Sequence, residues 1–105
     1  MNTKIARILF DAHRQNPAEN ALKPVAKSIT EIHNSAVKHG FLELPLLECL
    51  NVEFNSQGVT VMLRPISGMA KLTDIYLIQS AWGADTTDIC SAFNGMAICL
   101  NFNNH

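Results

Sequence analysis

Hydrophobic positions along the chain change period once, near residue 48. Before that point they recur every three or four residues, and after it they alternate. Ile5, Ile8, Leu9 and Ala12 form one apolar stripe with Phe10 at its edge, which predicts a first helix over residues 3–15 capped by Asn2 or Thr3. Arg7, Asp11 and Arg14 fall on the other side at pairing distance. Asn16-Pro17 ends that helix, because the residue before a proline avoids the α conformation. Asn16, Pro17 and Glu19 then carry the spacing of a capped helix start. They predict a second helix over 17–39, kinked or broken at Pro24. Its clearest stripe is Val25, Ile29, Ile32 and Ala36, with Lys27, Glu31, Asn34 and Lys38 on the wet face. Gly40 is placed to close it in the left-handed conformation, with Phe41 packing back. The leucine-rich connector 41–47 is expected to be buried.

Past the connector, Leu50, Val52 and Phe54 alternate with Asn51, Glu53 and Asn55, predicting a strand over 48–55. Asn55 to Gly58 is a turn with Gly58 supplying positive φ. A return strand over 58–65 points Val59, Val61 and Leu63 inward and Thr60, Met62 and Arg64 outward. Residues 70–82 read as a long strand, apolar on both faces, with Leu72, Tyr76 and Ile78 on one and Ile75, Leu77 and Ala81 on the other. Asn94-Gly95 suits a two-residue hairpin turn between strands over 87–93 and 96–103. That turn sets Phe93 opposite Met96, Ser91 opposite Ile98, Ile89 opposite Leu100 and Cys90 opposite Cys99. Ile89, Ala92, Phe93 and Met96 also fit a helical stripe, but the mediocre helix formers around them favour the hairpin.

The elements add up to a single α+β domain over 1–105. Two helices cover one face of a five-stranded antiparallel meander. The other face then carries so many apolar side chains that a twofold homodimer is the expected remedy.

Composition sharpens this. Of 105 residues 48% are hydrophobic and only 16% charged, well below the usual quarter, which also points to surface that meets a partner. Charge is uneven: six of the eight Lys/Arg lie in residues 1–40 against three acids, and six acids lie in 41–105 against two Lys/Arg. No Lys/Arg cluster is interleaved with aromatics, so nucleic acid is disfavoured as a partner. No apolar run has transmembrane length and the N-terminus lacks a leader pattern, so no membrane partner is expected and a cytoplasmic location is. In that compartment Cys90 and Cys99 are expected as two buried thiols.

Motifs for nucleophilic, phosphate or metal chemistry are missing from the sequence, so no catalytic residue, metal ligand or cofactor is assigned. The histidines (His13, His33, His39 and His105) have ordinary surroundings, and the six-residue step from His33 to His39 puts those two on different helix faces. Asp74 is unusual in a strand between apolar neighbours, where a carboxylate pKa rises. Tyr76 lies beside it, Trp82 marks the strand end, and Arg64 offers an anion-binding cation. Two readings follow. One is a non-enzymatic homodimer that binds a protein or peptide. The alternative is a small-molecule binding or catalytic site between helices and sheet, lined by Arg64, Asp74, Tyr76 and Trp82.

Overall fold

The computed structural model describes residues 4–18, 21–68, 71–91 and 95–103. Among them the elements run α1 (Lys4–Gln15), α2 (Leu22–Lys38), β1 (Leu47–Phe54), β2 (Gly58–Pro65), α3 (Leu72–Trp82), β3 (Thr86–Cys90) and β4 (Ala97–Asn103). Helices packed on an antiparallel sheet make it an α+β fold, but with three helices and four strands instead of two and five.

The added helix is α3, where the sequence predicts the strand 70–82. Ile75, Ile78 and Trp82 are its buried residues, spaced three and four apart. Asp74 accepts a hydrogen bond from the Lys71 amide at 3.3 Å across the first turn. Gly83, at φ 69°, ends the helix in the left-handed region. A run apolar on every side satisfies both periods, so the terminal residues decide between them.

Removing that strand also changes the topology. The sheet order is β1-β2-β4-β3, not a meander. β2 and β3 both run antiparallel to β4, hence parallel to each other, and α3 carries the chain between them. Asn94 lies outside the described residues. The register nevertheless excludes the predicted pairing: Ile89 faces Ile98 and Cys90 faces Ala97, two residues away from expectation. A slip of two keeps each side chain on its predicted face. Cys90 and Cys99 are therefore diagonal neighbours, with Cα atoms 6.4 Å apart, and they form a disulfide in place of the expected free thiols.

The helices differ from expectation in smaller ways. Pro24 neither kinks nor breaks α2, because it sits in the first turn, where a missing amide donor costs nothing. The proposed partner Glu19 lies outside the described residues, as do Asn2 and Thr3. Asn16 does not cap a helix: α2 begins at Leu22, not at Pro17, with Ala21 at its N-cap and no side-chain cap, and Asn16 Oδ1 accepts only the Ala18 amide at 3.3 Å in a local turn. The buried stripe of α2 is Leu22, Ala26, Ile29, Thr30 and His33, so the helix is rotated and Ile32 is 70% exposed. At its end the Phe41 amide reaches the Ala36 carbonyl at 2.8 Å and Gly40 has φ 81°, as predicted. The Phe41 ring, 81% exposed, does not pack back.

One core joins the three helices with β1, β2 and β4. Leu9 of α1, Ala26 and Ile29 of α2, and Ile78 and Trp82 of α3 pack over Val61, Leu63 and Leu100 of the sheet. The opposite sheet face is not the apolar surface the sequence suggests. Glu48 pairs with Arg64. Thr60 Oγ1 donates to Asn101 Oδ1 at 2.8 Å, and Asn101 Nδ2 donates to Asp88 Oδ2 at 3.2 Å. With α3 moved to the helical layer, a sheet-on-sheet dimer loses its reason.

Candidate functional site

α3 presents two contrasting sides. Its inner side ends in Trp82, which is 1% exposed and donates its indole N–H to His33 Nδ1 at 3.2 Å. The other ring nitrogen of His33, Nε2, lies 3.1 Å from the Pro45 carbonyl, which can only accept. His33 must therefore carry its proton on Nε2 and offer the lone pair of Nδ1 to Trp82. Burial holds its pKa below the ordinary histidine value, with the Pro45 hydrogen bond pulling the other way. Both nitrogens are occupied and the ring is buried, so this histidine joins α2, the connector and α3 and has no free position for proton transfer. Beside it, Asn34 exchanges two hydrogen bonds with Leu47, at 2.7 and 2.9 Å, and so fixes where β1 begins.

The outer side of α3 is different. Leu72, Tyr76 and Leu77 are 58%, 57% and 53% exposed, with Thr73 and Ser80 between them. The one ionisable acid or base in the helix besides Tyr76 is Asp74, already engaged with the Lys71 amide. An apolar helical face without a charge, more than half exposed, is the composition of an interface centre. Ile89 and Met96, at the end of the β3–β4 pair, are exposed as well. They line a small apolar cavity of about 170 Å³ with Pro65 and Ile75.

The four residues singled out from sequence have four separate placements. Arg64 is on the polar sheet face, paired with Glu48. Asp74 is in the first turn of α3, Tyr76 on its outer side and Trp82 in the core. Three cavities lined by described residues border the helices and the polar sheet face. None has more than one of the four in its lining. The oddity of Asp74, a carboxylate inside an apolar run, is explained by its place in the first turn of a helix. His33 and Asn34 are missed by the sequence reading, yet a signal existed. The step Ala26, Ile29, His33 is as regular as Val25, Ile29, Ile32, and it places His33 inward.

Elsewhere, Cys49 is half-buried and burial raises its thiol pKa, against smaller opposite effects from Lys27 and Lys23, so it stays protonated. Among the described residues no group of His, Cys, Asp or Glu is arranged to hold a metal ion, and no helix is long and apolar enough to cross a membrane. Comparison with known proteins brings no matching family model, no matching curated protein and no matching solved structure.

Proposed function

We propose that this protein is a non-enzymatic interaction module that forms a homodimer through the outer face of α3 and binds a protein or peptide partner. The observation that carries this reading is the uncharged face Leu72, Tyr76 and Leu77. A second copy related by a twofold axis would cover it with the same three residues, crossing α3 on α3. The sheet edges β1 and β3 stay open in such a dimer, with backbone groups that an extended peptide can pair.

Light scattering after size exclusion should give twice the chain mass at micromolar concentration. Leu72→Lys with Leu77→Lys alters two exposed positions and leaves the core alone. It should raise the dissociation constant at least about a hundredfold, because two buried ammonium groups have no partner in that face. A wild-type monomer sinks the dimer. A double variant that still dimerises moves the interface elsewhere.

A cytoplasmic location belongs to the same proposal. The Cys90–Cys99 disulfide weighs against it, since such bonds persist mainly in oxidising compartments. Alkylation of the protein in intact cells should find both thiols free if it is cytoplasmic. A protected pair would move it to an oxidising compartment.

A further inference from the structure

The β3–β4 pair is fastened differently at its two ends. At the end that follows α3, the Asp85 amide donates to the Asn101 carbonyl at 2.9 Å, and Asp85 Oδ2 accepts the Asn103 amide at 2.6 Å. Asn101 Nδ2 adds its bond to Asp88 Oδ2 at 3.2 Å. At the other end, where Ile89 faces Ile98 and Cys90 faces Ala97, the bond between side chains is the Cys90–Cys99 disulfide. Packing there is thin. None of the five residues of β3 is buried, and Ile89 is 46% exposed. The apolar cavity of about 170 Å³ lined by Ile75, Ile89, Met96 and Ile98 borders this end, so these side chains lack contacts on one side. β3 is also an edge strand, held by β4 alone. On the far side of β4, Cys99 and Ile98 are paired with Met62 and Leu63 of β2.

From this asymmetry we infer that Cys90–Cys99 is a redox latch: reducing it frees the Ile89–Cys90 end of β3 from β4, while the rest of the sheet stays paired. The backbone of Ala97 to Cys99 in β4 then becomes the open sheet edge in place of β3. The two cysteines are nine positions apart, so the bond closes a short loop and its loss acts locally. The reductant is a dithiol. One of its thiolates attacks Cys90 Sγ, on the half-exposed residue of the pair, and the sulfur–sulfur bond breaks with its electrons left on Cys99 Sγ. The second thiolate of the dithiol then displaces Cys90 Sγ from the mixed disulfide. The dithiol ends as a disulfide, having given up two electrons, and two protons complete the Cys90 and Cys99 thiols. The latch is independent of the dimer face on α3, so either can fail while the other stands.

Hydrogen exchange read segment by segment tests this on the full-length protein. Dithiothreitol, added without denaturant, should speed exchange in residues 87–91 at least about tenfold and leave β1 and β2 at their oxidised rates. Glutathione disulfide should restore the slow rate. Cys90→Ser with Cys99→Ser should exchange like the reduced protein, with or without dithiothreitol. Cys49 is already a free thiol, so the reductant has no second target among the described cysteines. Equal exchange in the oxidised and reduced proteins overturns the latch. So does acceleration throughout β1 and β2, which would make the disulfide a staple of the whole fold. A bond that dithiothreitol leaves intact in the native protein, or that glutathione disulfide does not reform, overturns the switching role. A response of the double serine variant to dithiothreitol overturns the assignment to this pair.

Discussion

Replacing Trp82 with alanine is expected to cost about 3–5 kcal/mol, the range for truncating a buried large aromatic. Trp82 is among the largest fully buried side chains and belongs to the one core cluster that spans all three helices. Its removal empties the place where α3 meets α2. It also leaves His33 Nδ1 without a donor. Trp82→Phe shifts the balance between the two effects, because it removes the indole N–H but leaves a much smaller void than alanine does. It should cost about 1–3 kcal/mol, the penalty for a buried acceptor left unpaired. Urea unfolding followed by circular dichroism measures both, since the variants have no tryptophan to follow. A Trp82→Phe protein as stable as the wild type would mean that the hydrogen bond to His33 contributes nothing.

The same pair makes stability depend on pH. Burial disfavours charged His33, so its folded pKa lies below the unfolded value of about 6.5. The neutral ring is the one that fits: Nε2–H points to Pro45 and bare Nδ1 faces the Trp82 N–H. A second proton would set two donors against each other. The stabilisation is thus complete above about pH 6.5 and is lost as pH falls through the lower folded pKa, at no more than about 1.4 kcal/mol per pH unit. His33→Gln, which does not titrate, should flatten the stability curve between neutral pH and about pH 5. An unchanged slope in that variant would assign the dependence to another group.

The β1–β2 hairpin was legible because its alternation holds over most of its length: Val52, Val59, Val61 and Leu63 are buried as their period requires. A register shift between Cys49 and Asn51 takes Leu50 out of the pattern, and Phe54 is 40% exposed. The α3 segment was not, for a definite reason. It is apolar toward the core and apolar toward solvent, so no polar side marks a period. Only Asp74 near its start and Gly83 after its end distinguish helix from strand, and each was open to another explanation in isolation. The apolar excess that sequence reading places on the sheet's second face is real, but it lies on the outer side of α3.

Single-residue errors share a cause too. Stripes three and four apart can be drawn through α2 in two ways that differ by a small rotation. The stripe Val25, Ile29 and Ile32 puts Ile32 inward and leaves His33 out of the buried set, whereas Ile32 is exposed and His33 buried. The choice depends on what α2 packs against, which the helix alone does not contain. For the β3–β4 pair, alternation fixes which side chains share a face but leaves registers two residues apart indistinguishable. A turn dipeptide does not fix that choice: the strands pair two residues away from the register that a two-residue turn at Asn94-Gly95 requires.

Glycine 58 gives the sharpest test of the sheet's centre. Sequence reading assigns Gly58 a turn conformation with positive φ, but positive φ among the described glycines occurs at Gly40, Gly68 and Gly83. The turn is made by Asn55, whose Oδ1 accepts the amides of Gln57 and Gly58, both at 2.9 Å. What requires glycine at 58 is the neighbouring strand. A Cβ there would lie 1.9 Å from the Phe102 carbonyl oxygen, a backbone atom of β4 that cannot turn aside. Gly58→Ala must therefore part β2 from β4 where Gly58 faces Asn103. It should cost about 3 kcal/mol, at the upper end of what overpacking a tight site costs. Gly95→Ala is the contrast, because nothing lies within 4 Å of an added carbon there. It should stay within about 0.5 kcal/mol of the wild type. Were both variants equally stable in urea, the β2–β4 register would be wrong. With it would go the sheet order that places α3 in the helical layer and its uncharged face on the surface.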